Sequence, residues 1–157
     1  MKVTRRRGAL RLRFDPVETV LLGSLLDELA GALESDALDD DDPVRQRLFP
    51  DGYRGDDDAA AEFRSLTEGS LSAERSERAR DCARQLTPGV TELGLDGAAG
   101  ERWIQVLNDL RLALGTRLEI TEEDEPEFEP DDPDAEQRAV YYWLTGMQDA
   151  VVRALMR

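Results

Sequence analysis

The sequence predicts an α+β fold that is mainly helical, a bundle of four to five helices with a small N-terminal β-hairpin. Three observations predict it. Through most of the chain, apolar residues recur at three- and four-residue intervals, the period of an amphipathic helix. The first fourteen residues instead alternate small or apolar residues with arginine, the period of a strand. Between the periodic segments lie acidic stretches bearing proline and glycine, which punctuate the chain. At 157 residues the chain fits one domain with a proper core. Its parts are a basic hairpin (1–14), a helical core (15–120), an acidic loop (121–134) and a C-terminal helix (135–157).

Each element has its own signature. Residues 3–6 and 9–14 form the hairpin around Gly8. Leu10, Leu12 and Phe14 share one face, and Arg11 and Arg13 share the other. Asp15, Pro16 and Glu18 then make a capping box with proline at the first helical position. The helix they open runs to Ser35, with Val17, Val20, Leu21, Leu25, Leu29 and Leu33 as its apolar positions. Asp42 and Pro43 open a short helix that Pro50 closes. Residues 59–86 read as helical, with Gly69 a point of interruption and Phe63, Leu66, Leu71, Ala79, Cys82, Ala83 and Leu86 as its apolar positions. Glu74 and Arg78 are spaced as an ion pair worth a few tenths of a kcal/mol.

The clearest helix spans 101–114, with Trp103, Val106, Leu107, Leu110 and Leu114 on one face and Gly115 as its C-cap. Residues 117–120 read as a short strand that pairs with the hairpin. The segment 121–134 is too charged to bury much and reads as a solvated or disordered loop. Pro133 opens the last helix, with Val140, Leu144, Met147, Val151 and Leu155 along one face. No internal repeat is visible.

Composition disfavours several functions and excludes a few. The net charge is -15, which repels phosphate backbones and anionic membrane surfaces. The charge is uneven: Lys2, Arg5, Arg6, Arg7, Arg11 and Arg13 all precede the first acid, Asp15, so residues 1–14 carry +6 and the remainder -21. One lysine against nineteen arginines fits the codon bias of a high-GC genome. No apolar run reaches the ~18–20 residues of a membrane span. No signal-peptide apolar region follows the basic start, so a cytoplasmic location is expected. The single cysteine, Cys82, rules out an intramolecular disulfide.

The absence of histidine removes Ser-His-Asp and Cys-His catalysis, histidine-bearing zinc sites and imidazole acid–base chemistry. No phosphate-binding or dinucleotide motif is present. Carboxylates are abundant, but no pair is marked out, so an enzyme is not expected and no cofactor or metal is implied. Asp51 and Glu62 stand as far apart as the first and last ligands of an EF-hand, but Tyr53, Gly55 and Asp56 break that pattern.

Three sets of residues are candidate sites. Arg5, Arg6, Arg7, Arg11 and Arg13 suit DNA phosphates, an acidic partner protein, or the chain's own acidic loops. Cys82 reads either as a small buried hydrophobe or as a reactive thiol activated by Arg78, Arg80 or Arg84, with Asp81 opposing. Tyr141, Tyr142 and Trp143 are consecutive and cover about 200° of helix circumference, so they cannot all face one core stripe. Val140 and Leu144 mark the buried side, leaving Tyr142 as the outlier and a partner anchor, unless the hairpin or the acidic loop covers it.

Three segments occur in a telling order: Leu48-Phe49-Pro50-Asp51-Gly52-Tyr53, then Trp103 through Gly115 (WIQVLNDLRLALG), then Tyr141-Tyr142-Trp143-Leu144-Thr145. A basic hairpin and an acid-capped helix precede them. With these the chain resembles, over nearly its whole length, an actinobacterial family of formerly unknown function that includes the oxidative-stress transcriptional regulator AosR. The resemblance implies a cytoplasmic regulator that engages a stress sigma factor of RNA polymerase, with redox sensing in some members. Members are also typically encoded beside the adaptor of the Clp protease. Disulfide sensing within one chain needs two cysteines, and this hairpin carries none.

The leading expectation is therefore a regulatory domain that binds a protein, with a sigma factor or RNA polymerase as partner. A homodimer is compatible with it, and any DNA contact is indirect. One alternative is an accessory factor for Clp-dependent proteolysis. Another is a small carboxylate-based enzyme, which would need a concave pocket with converging carboxylates of raised pKa.

Overall fold

The computed structural model describes residues 1–6, 8–35, 38–39, 41–50, 57–121 and 132–156, without the side chains of Arg6 and residues 57–66. Strands β1 (Lys2–Arg6) and β2 (Ala9–Arg13) form an antiparallel hairpin. Gly8 at its turn has φ +83°, a left-handed conformation that favours glycine. A third strand, β3 (Glu92–Leu95), pairs antiparallel with the other edge of β2, setting Leu10 opposite Leu95 and Leu12 opposite Leu93. The Phe14 amide extends this ladder by donating to the Thr91 carbonyl at 2.9 Å.

The third strand is thus not at 117–120. Those residues close α4 (Gly97–Arg117), which runs past Gly115. The Ile120 amide donates to the Gly115 carbonyl at 2.9 Å, and the Glu119 amide to the Thr116 carbonyl at 3.2 Å. Glu119 takes the left-handed φ of 52°. This is a Schellman closure with a glutamate where glycine is usual.

Gly115 has a packing role instead. A Cβ there would lie 2.9 Å from the Cε2 atom of Tyr141. Gly115→Ala gains about 1 kcal/mol of helix propensity but meets an overpacking cost of about 1–3 kcal/mol. The expected result is a net loss of about 1 kcal/mol, read from urea denaturation. A midpoint at or above that of the parent would mean that the ring yields freely.

Helix α1 (Pro16–Glu34) begins at the expected cap, where Glu18 accepts from the Asp15 amide at 2.9 Å. Its buried face is the expected one at Leu29 and Leu33 but is displaced in the first half of the helix. Leu22, Leu26, Leu29, Ala30 and Leu33 are buried, whereas Val17 and Val20 are 77% and 59% exposed. α1 is apolar around most of its circumference, so spacing alone fits more than one face.

Helix α2 (Pro43–Leu48) is capped by the Asp42 carboxylate, which accepts from the Val44 amide at 2.7 Å. Helix α3 (Asp57–Gln85) continues through Gly69 without interruption, and its Leu71 is exposed. No Glu74–Arg78 ion pair forms, because Arg78 faces Asp109 instead. Helix α5 (Ala135–Leu155) buries Leu144, Met147 and Val151, with Val140 and Leu155 packed at the margin of the core.

α1 packs along α3, α4 along α5 and α2 against α4, while β1 meets α5. Leu10 and Leu12 bring the sheet into the same core as Trp103, Leu107, Leu144 and Met147. Among the described residues, no helix is long and apolar enough to cross a membrane.

Candidate functional site

The antiparallel register divides the hairpin's cations between two faces. Arg5 is opposite Leu10, on the side that meets the core. Its Nη1 donates to the Leu155 carbonyl at 2.9 Å and to the Ala154 carbonyl at 3.3 Å. It thereby caps the last turn of α5, where carbonyls lack helical donors and the helix dipole favours a cation. Arg11 and Arg13 lie on the outer face, with Lys2 opposite Arg13.

Both outer arginines bind one carboxylate. Arg11 Nη1 reaches Glu92 Oε1 at 2.7 Å, and Arg13 Nε reaches Glu92 Oε2 at 2.8 Å. Arg13 first, then Arg11, hold the Glu92 carboxyl below the usual range. Two arginines and a nearby lysine exceed one glutamate, so this face keeps a positive balance. Both guanidiniums stay more than half exposed. The side chain of Arg6 and the whole of Arg7 lie outside the described residues, as do the acidic loop at 122–131 and the side chains of the Asp51 and Glu62 pair.

Cys82 is buried. Burial, helped by Asp81, pushes its thiol up to about 11. Arg80 is engaged by Glu34 and Asp27, and Arg84 by Asp81. The arginines proposed to activate the thiol are thus largely committed elsewhere. A thiol so placed is expected to resist maleimide at pH 7.5 until the protein is unfolded in urea. Labelling as fast in the native as in the unfolded protein would contradict this. Cys82→Ser is likewise expected to leave any oxidant response intact.

Tyr141, Tyr142 and Trp143 are all half-buried. The Arg111 guanidinium lies 5.5 Å above the Tyr141 ring, and Tyr142 meets that ring edge-on at 5.3 Å. Trp143 Nε1 donates to Glu18 Oε1 at 3.1 Å. Tyr142 therefore belongs to a packed aromatic group and does not stand out from its neighbours.

Two features had no counterpart in the sequence reading. Asp109, on α4, is only 3% exposed. Its Oδ1 is bound by Arg75, Arg78 stands 3.8 Å from its Oδ2, and that Oδ2 accepts no hydrogen bond. Burial pushes its carboxyl above the usual value, and Arg75 opposes the shift. The Arg75 guanidinium also lies 5.3 Å from the Phe49 ring centre.

The second feature is an apolar slot of about 110 Å³ among α1, α2, α4 and α5, lined by residues such as Leu25, Leu29, Ala113 and Leu144, with Glu28 and Arg117 as its charged members. A sequence signal for it existed in the excess apolar circumference of α1.

Over residues 1–155 the chain matches the family described as a domain of unknown function, DUF2017. The chain belongs to this family. It is 33% identical over 144 residues to the oxidative stress regulator AosR of Mycobacterium tuberculosis (strain ATCC 25618 / H37Rv), covering 83% of this chain and 66% of that protein. The AosR of Mycobacterium bovis gives the same values. A putative oxidative stress regulator AosR of Mycobacterium leprae is 34% identical over 149 residues, covering 85% of this chain and 69% of that protein. The chain thus spans about two thirds of the length of these relatives. No solved structure matches it.

Proposed function

We propose that this chain is a cytoplasmic regulator of an oxidative-stress response that acts by binding a protein of the transcription machinery, a sigma factor or RNA polymerase. The observation that carries this reading is its 33% identity, over 83% of its length, to proteins named oxidative stress regulator. The charge layout supports binding to protein over DNA. Lys2, Arg11 and Arg13 give one cationic face on a chain of net charge -15, which suits docking to an acidic surface and disfavours a phosphate backbone. Redox input in this chain does not run through an intrachain disulfide, because Cys82 is the single cysteine.

The test is a tagged pull-down from a native lysate, with and without oxidant, repeated with the double variant Arg11→Glu, Arg13→Glu. Enrichment of a sigma factor or core polymerase, weakened in the variant, is the expected result. Enrichment of Clp components instead would replace this reading with a role in proteolysis. Enrichment of neither, in either condition, would overturn it.

A further inference from the structure

On α1, positions 17, 21, 25, 28 and 32 follow one another at helical spacing along one stripe. Val17 at its start is largely exposed, as is Val20 beside it, Leu21 and Leu25 are half-buried, and the stripe runs into the slot, where Leu25, Glu28 and Ala32 line one wall. From Val17 to Ala32 it extends about 22 Å, a match for a helix of about four turns. The slot itself, at about 110 Å³, holds one large aliphatic side chain, given that a cavity of about 150 Å³ admits benzene.

The charges select the occupant. α1 contains four acids and no basic residue. Asp27 and Glu34 are bound by Arg80, and Glu18 accepts from Trp143. Glu28 has no ion pair among the described residues and is the one uncompensated charge on the stripe. Across the slot, Arg117 lies in the last turn of α4, over that helix's own negative end. A second copy of the chain is a poor occupant. It would bring another net charge of -15, and stripe on stripe would bring like-charged Glu28 side chains together.

We propose that the α1 stripe and the slot are the seat of a cationic amphipathic helix of the partner protein, one aliphatic side chain filling the slot and a lysine or arginine meeting Glu28. This deepens the regulatory reading and rests on it only for the partner's identity.

The test uses the full chain with labelled leucine and valine methyls, observed by NMR. The probes are three synthetic helical peptides of about five turns: one of leucine and lysine in amphipathic pattern, one with glutamate for lysine, one with serine for leucine. The leucine–lysine peptide is expected to shift the methyls of Leu25, Leu29, Leu114 and Leu144. The glutamate peptide should bind at least about tenfold more weakly, and Glu28→Arg should reverse that order. Ala113→Leu, or Ala32→Leu should the first fail to fold, fills the slot and should abolish the shifts. Shifts spread over the surface, unchanged binding to a folded slot-filled variant, or the same shifts on raising protein concentration alone would overturn the proposal. Undiminished capture of polymerase or sigma factor by the slot-filled chain would overturn it while sparing the regulatory reading. Slot-specific peptide shifts with no such capture by the parent chain would sink that reading and support the seat.

Discussion

Trp103→Ala is expected to destabilise the protein by about 3–5 kcal/mol, the usual cost of emptying an aromatic site in a core. Trp103 is fully buried and shares the core with residues from the sheet and from α1, α4 and α5. Its indole Nε1 donates to Gln85 Oε1 at 3.3 Å, so the polar end has a partner too. In a protein of this size each kcal/mol lowers Tm by about 2–4 °C, so a loss of about 6–20 °C should appear in thermal denaturation. Trp103→Phe keeps most of the buried area and should lose much less. A loss below about 1 kcal/mol for the alanine variant would mean that the core is not organised around this ring.

Asp109→Ala is expected to cost about 3 kcal/mol, near the lower end for breaking a buried ion pair. Removing the carboxylate leaves Arg75 and Arg78 facing a site without an anion. The lower end applies because the Arg75 side chain is 26% exposed and can turn toward water. The double variant Asp109→Leu, Arg75→Met should recover much of the loss, since an apolar replacement of a whole buried pair is often neutral. A double-mutant cycle with no coupling would remove the pair from the account.

The same group has a signature in acid. The folded-state pKa of Asp109 is raised, so its ionisation penalty is absent at low pH and grows as pH rises through the folded value. Glu34 behaves oppositely. Hydrogen bonds from Arg80, then from Ser76, hold it at about 2 against an ordinary 4.5. Its contribution is present above about 4.5 and is lost as pH falls toward about 2. Glu92 acts in the same direction. Thermal stability should therefore fall between pH 5 and pH 2. Glu34→Gln should make that fall shallower, and Asp109→Asn should make it steeper. An unchanged slope in both variants would refute these assignments.

What the sequence disclosed depended on whether the signal was local. The hairpin, the Asp15–Glu18 cap and the Asp42–Pro43 helix start were legible because each is decided by neighbouring residues. The third strand was not. Residues 92–95 and 117–120 are both short and punctuated, and what distinguishes 92–95 is non-local: Leu95 is buried opposite Leu10 and Glu92 meets Arg11 and Arg13 across the sheet. Gly115 looked like a helix end because glycine is common there, yet its reason is a tyrosine ring from another helix. On α1, Val17 and Val20 fitted the helical period as well as Leu22 and Leu26, so the pattern could not say which face would find neighbours. The partners of Asp109 lie on α3, more than thirty positions away in the chain. Of the candidate site, the cationic hairpin was visible in composition, but the commitment of Arg5 to α5 was not.

That commitment bears on how the protein is made. Arg5 leaves the ribosome 149 and 150 positions ahead of the carbonyls that receive it. Until α5 has been synthesised, the inner side of the hairpin has no cover from that helix. Until then Leu10 and Leu12 lack the cover of α5, and exposed apolar surface of this kind is where aggregation starts and chaperones act. Closure of the hairpin's inner side is thus tied to completion of α5, however early the strands themselves pair.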